Sequence, residues 1–130
     1  MRLLAPVCAF ILSTAGSASA HEMTPTYPEL RPSYVDGLLV AKLSMFNARD
    51  DVDYYEIGVF DENWTKIPFA TQARIVKVPY GEHSKFEVYI RDEDKKRATY
   101  VCTTSKLRSD KPSYAIVSSK VCSRLDGALP

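Results

Sequence analysis

The stretch ATYVCTTSKLRSDKPSYAIVSSKVCSRL, residues 98–125, decides the fold. Two strand-like runs, Ala98 to Leu107 and Tyr114 to Leu125, flank the turn-rich hexapeptide Arg108-Ser109-Asp110-Lys111-Pro112-Ser113, a pattern that predicts an antiparallel hairpin. Folding it about residues 111 and 112 sets Cys102 and Cys122 across from one another. Once the leader described below is removed these are the only two cysteines, so a disulfide has one connectivity. Closing a loop of about 20 residues adds about 3 kcal/mol of stability in the chain-entropy account.

Moving towards the N-terminus, further short runs alternate at period two. Phe86, Val88 and Ile90 share one face, Tyr55, Ile57 and Val59 another, and Leu39, Ala41, Leu43 and Met45 a third. Turn signals separate them: Pro79-Tyr80-Gly81-Glu82, Asp61-Glu62-Asn63 and Asp36-Gly37. Arg74 to Val78 reads as a short strand, Trp64 to Pro68 as a short or edge strand, and Trp64 as a plug for the core. The charged run Asp92 to Arg97 has room for one helical turn. Residues 21–33, with Pro25, Pro28 and Pro32, read as an extended edge arm. About seven short strands without an amphipathic helix describe an all-β, antiparallel β-sandwich, and a small barrel is the alternative.

The first 20 residues have the form of a secretion signal: Met1-Arg2, an apolar stretch from Leu3 to Leu12, and the cleavage triplet Ala18-Ser19-Ala20. The apolar stretch is about half the ~20 residues that a membrane-spanning helix needs, so no membrane span is expected after cleavage. The expected mature domain is residues 21–130, starting at His21, in the periplasm or outside the cell, where a disulfide is stable. The 130-residue chain carries 17 basic and 16 acidic residues, and loss of Arg2 brings them level, which argues against a nucleic-acid partner. Charge is nonetheless uneven. Six acids and no base lie between Asp50 and Glu62, and eight bases against Asp110 alone lie between Lys95 and Arg124, so one acidic and one basic edge are expected.

Few residues point to catalysis. There is no G-x-S-x-G elbow, phosphate-binding glycine loop or C-x-x-C pair, and no enzymatic activity or cofactor is expected. Asp50-Asp51-x-Asp53 lacks the spacing and glycine of a calcium loop and reads as a solvated turn. The metal alternative is copper, held by the imidazole and free amine of a mature N-terminal His21, with His83 as a third nitrogen ligand.

Ala98-x-Tyr100-x-Cys102 resembles the signature of strand F in immunoglobulin-like domains, where the tyrosine pins the preceding corner. A wider resemblance is to the N-terminal immunoglobulin-like domain of periplasmic pilus-assembly chaperones. It is carried by Arg31 to Gly37 (RPSYVDG), Met45-Phe46-Asn47, Tyr54-Tyr55, Val78-Pro79-Tyr80-Gly81 and the basic last strand Ala115 to Arg124. The resemblance implies a non-enzymatic module that engages a protein segment by strand addition at a sheet edge, with Arg31 and Lys120 as anchors for a partner's C-terminal carboxylate. The chain also looks like small exported proteins of unassigned role in tailed phages of marine bacteria, which adds the alternative of a structural module of a virion or surface appendage.

Overall fold

The computed structural model describes residues 20–106 and 117–125. Residues 1–19, 107–116 and 126–130, which include nearly all of the expected leader and the expected hairpin loop, lie outside the described residues. Among the described residues eight strands are formed: β1 His21–Thr24, β2 Arg31–Pro32, β3 Leu38–Asn47, β4 Tyr54–Phe60, β5 Ile75–Lys77, β6 His83–Arg91, β7 Tyr100–Lys106 and β8 Lys120–Arg124. They build two antiparallel sheets. In the first, β3 lies at the centre, with β6 along one side and β1 and β2 sharing the other. In the second, the order is β5-β4-β7-β8.

The period-two runs become the facing layers of the sandwich. Leu39, Ala41, Leu43 and Met45 of β3 and Phe86, Val88 and Ile90 of β6 are buried from one side. Tyr55, Ile57 and Val59 of β4, with Val101 of β7 and Leu125, are buried from the other. Alternation works here because successive side chains on a strand point to opposite faces, so one register serves a whole face. Asp36-Gly37 turns the chain into β3 with Gly37 at φ 82°, a left-handed conformation that costs a glycine little.

Three elements differ from the sequence reading. Among the described residues the last strand starts at Lys120 and residues 117–119 ahead of it are not strand, although the Ser119 carbonyl already accepts from Ser105 N at 2.8 Å; Tyr114, where the sequence reading starts this strand, lies outside the described residues. The Trp64–Pro68 segment makes an isolated bridge, Phe60 to Lys66, in place of a strand. Trp64 does not plug the core. Asp61 accepts through Oδ1 from the amides of Asn63 (2.8 Å) and Thr65 (2.9 Å), which reverses the chain and holds Trp64 at φ 63°, 52% exposed. Ile67, Ala98 and Leu125 fill the core at that end instead. The charged run provides a single 3₁₀ turn, Asp92–Asp94, whose buried Asp94 carboxylate is held by Arg91 and Arg97.

Cys102 and Cys122 are directly paired across β7 and β8, with Cα atoms 4.1 Å apart, and are joined by a disulfide. Replacing both by alanine should lower unfolding free energy by about 3 kcal/mol. Urea unfolding of the oxidised protein and the double variant checks this, and equal midpoints would show that the bond adds nothing.

Candidate functional site

Edges are where a sandwich can accept another chain, and β8 is such an edge: among the described residues β7 is its one strand partner. Its ladder faces β7 at alternate residues. Ser119 O accepts from Ser105 N and Leu125 N donates to Thr99 O, both at 2.8 Å, which puts positions 119, 121, 123 and 125 towards β7. The main-chain groups of Lys120, Cys122 and Arg124 therefore point outward. Arg124 N is used by Thr26 O at 2.9 Å, where the N-terminal arm crosses over from the other sheet.

On the outer face of this sheet, cross-strand rows bring Phe60 beside Tyr100 and Arg124, and Gly58 beside Cys102 and Cys122. Trp64 stacks on Tyr100 with ring centroids 4.5 Å apart and planes 8° from parallel. The Phe60 ring folds over Gly58 so closely that a Cβ there would lie 2.8 Å from it. Lys120 Nζ sits 4.3 Å from the Phe60 centroid and 4.8 Å from that of Trp64, a pair of cation–π contacts. Tyr100, the strand-F tyrosine of the sequence motif, thus serves this outer stack.

The acidic and basic runs meet on the same sheet instead of forming separate edges. Glu56 pairs with Lys106 at 2.9 Å and Glu62 with Arg124 at 3.7 Å.

Beneath the β8 edge lies a buried polar cluster that sequence reasoning missed. Asn47, at the end of β3, donates through Nδ2 to the carbonyls of Val52 (2.6 Å) and Val78 (2.8 Å), and its Oδ1 accepts from Arg49 N (2.9 Å) and the Tyr55 hydroxyl. Burial pushes the Tyr55 hydroxyl up to about 12, with Arg49 opposing and Asp51 and Asp53 adding to the shift, so it remains a donor. Arg49, itself buried, forks onto both oxygens of Asp51 at 2.8 and 2.7 Å. The bond to Arg49 holds the Asp51 carboxyl below its ordinary value. The signal for this cluster was present in part, as an aromatic-rich strand following an asparagine, but neither residue type has a period that marks it.

His21 ties the cluster to the second sheet. Its Nε2 lies 3.0 Å from the Thr103 carbonyl and 2.9 Å from Thr103 Oγ1, and its Nδ1 lies 2.9 Å from Ser119 Oγ. A carbonyl can only accept, so Nε2 carries the proton and Nδ1 accepts from Ser119, whose oxygen in turn accepts from Arg49 Nη1 at 3.3 Å. The ring is only 2% exposed. This placement does not bring together the two imidazoles of the copper alternative. His21 pairs with Asn47 on the inner face, whereas the exposed His83 pairs with Phe46 on the outer face, so the sheet separates the two imidazoles. Both ring nitrogens of His21 are already engaged.

Arg31 and Lys120 are likewise not brought together. Arg31 sits beside Val40 on the outer face of the first sheet, exposed and bonded to Glu29 at 2.7 Å, whereas Lys120 lies on the outer face of the second. One carboxylate cannot reach both. The physical reason is that β2 and β8 belong to different layers, a relation that strand order alone does not give.

No protein-family model matches the sequence, and no curated protein matches it. Solved structures do. The chain superposes on the E. coli chaperone DraB with a TM-score of 0.62 at 17% identity, covering 82% of this chain and 53% of that one. It superposes equally well, at 0.62 and 16% identity, on a chain of the Salmonella enterica complex of the SafA pilin with the SafB chaperone, covering 85% of this chain and 55% of that one. The fold is the immunoglobulin-like sandwich of pilus chaperones. The chain spans about half the length of these structural neighbours.

Burial lowers the His21 pKa from 6.5, the Thr103 bond opposes this, and Arg49 lowers it further. A histidine depressed in the fold contributes stability that is complete above its unfolded value, about 6.5, and is lost as pH falls from there through the folded value. Stability should therefore decline on acidification below pH 6.5. His21→Gln should flatten that part of the profile in thermal melts between pH 7.5 and 5; an unchanged slope would assign the decline to other groups. Asn47→Ala should cost on the order of 3 kcal/mol, because it strands several buried partners at once, as read from chemical denaturation at pH 7.5.

Proposed function

We propose that the protein is an exported, non-catalytic binding module that holds an extended segment of a protein partner by strand addition along β8. The observation that carries the reading is the β8 edge, with the main chain of Lys120 and Cys122 directed away from β7. Main-chain bonds along such an edge supply affinity, and the alternating side chains supply specificity. The fold supports the same reading, since one neighbour is described as a chaperone and another belongs to a complex of a chaperone with a pilin. Export is supported by the disulfide, which persists in oxidising compartments, and by the leader-like first 20 residues. Lys120 and Arg124 would give the edge a basic rim. Since Arg31 stands on the other sheet, any carboxylate of the partner would meet Lys120 without it.

Proline at position 120 removes one outward N–H and leaves the β7 ladder intact. With the tagged protein expressed with its own leader in a Gram-negative periplasm, Lys120→Pro should lower cross-linked recovery of an envelope partner at least tenfold. Lys120→Ala, which keeps the N–H, should lower it less. Equal recovery with both variants and the parent would overturn strand addition on β8; circular dichroism and an intact disulfide confirm that the variants fold.

A further inference from the structure

A cavity lies over β4 of the same sheet, where the chain leaves that strand. After β4 the chain is held to it at two points: Ile67 N donates to Val59 O at 2.9 Å and Ile57 N donates to Arg74 O at 2.8 Å. Between them, residues 68–73 leave the sheet altogether and cross to the other layer, where Ala70 and Tyr89 exchange both main-chain bonds at 2.9 and 2.8 Å. Pro68 has no N–H to return to β4. The excursion cannot close against the strand it spans, and a cavity of about 300 Å3 remains over Gly58. Its walls are Phe60, Ile67, Pro68 and Phe69, with Lys66 and Arg74 at its margin.

The charges of this margin are lopsided. Glu56, the one carboxylate of the lining, is already bonded to Lys106 at 2.9 Å. Among the described residues Lys66 and Arg74 have no ion-pair partner; the Arg74 guanidinium instead packs 4.9 Å from the Phe69 centroid. Lys106, Lys66 and Arg74, in that order, draw the Glu56 carboxyl below its ordinary value, so the site has a positive field beyond the one pair that Glu56 neutralises. A hollow with apolar walls at the small end of ligand-site volumes, with these two cations at its rim, one of them held by the Phe69 carbonyl and ring, fits an apolar chain or ring that carries one negative charge.

We propose that this cavity binds a small amphipathic carboxylate, its apolar part against Phe60, Ile67 and Phe69 and its carboxylate between Lys66 and Arg74. The site borders the outer stack through Phe60, on which Lys120 packs, but its occupation does not require strand addition along β8. Trp64, the single tryptophan, lies with its ring centroid 6.1 Å from that of Phe60 and reports on the wall of the site.

The test is a fluorescence titration of the purified protein with sodium octanoate and, separately, octan-1-ol at pH 7.5. Octanoate should give a saturable change and octanol binding at least tenfold weaker. Lys66→Gln with Arg74→Gln should weaken octanoate at least tenfold and leave octanol where it was, and Thr104→Phe, which fills the cavity from β7, should abolish both. A saturable change for neither probe, equal affinity for the two, or octanoate binding undiminished in the double variant would each overturn the proposal. Thermal melts of the variants keep a folding defect distinct from loss of the site.

Discussion

The pairing of β7 with β8 is the constraint on which the rest of the second sheet depends. Side chains alternate along a strand, so a slip of one residue would exchange the inner and outer sets along the whole of β8. Bonding Cys102 to Cys122 excludes that slip. It commits Val121, Ser123 and Leu125 to the interior and sends Lys120 and Arg124 outward. The outer stack of Phe60, Trp64 and Tyr100 and its two cations can then assemble on one surface.

The two sheets are joined differently at their two ends. Where Ile67, Ile90, Ala98 and Leu125 meet, the join is apolar and its strength comes from area removed from water. At the other end Asn47, Tyr55, Arg49, His21 and Thr103 meet, and the join is a hydrogen-bonded network in which each group is costly to leave unpaired. A polar join of this kind requires specific geometry, and it fixes how β1, on one sheet, lies against β8, on the other. The same arrangement removes His21 from solvent.

Much of the fold was legible in the residues, because period-two alternation and turn chemistry are local. The cores of β3, β4 and β6 follow directly from Leu39 to Met45, Tyr55 to Val59 and Phe86 to Ile90, and the disulfide partners from the symmetry of one hairpin. Less of the site was legible. Trp64 was misjudged because size suggested the core, whereas an Asp61 turn set its backbone and turned it outward. The pairs His21 with His83 and Arg31 with Lys120 lie apart for a shared reason: each joins residues whose faces or layers are decided by how the strands are distributed between two sheets. Nothing in the linear spacing encodes that distribution. The cavity beside β4 was invisible for the same reason, since it arises where residues 68–73 desert one layer for the other.

The pairing of Glu56 with Lys106 and of Glu62 with Arg124 has a consequence for how the molecule meets others in solution. A chain whose acids and bases are segregated along the sequence could have folded into a body with a large dipole moment. Here the two runs meet at Glu56–Lys106 and Glu62–Arg124, and the fields of these pairs cancel over distances shorter than the ~8 Å screening length of physiological saline. What is left on this sheet is the local positive field of Lys66, Arg74 and Lys120, which acts on a charged partner only within about one screening length and so orients it on contact instead of steering it from a distance.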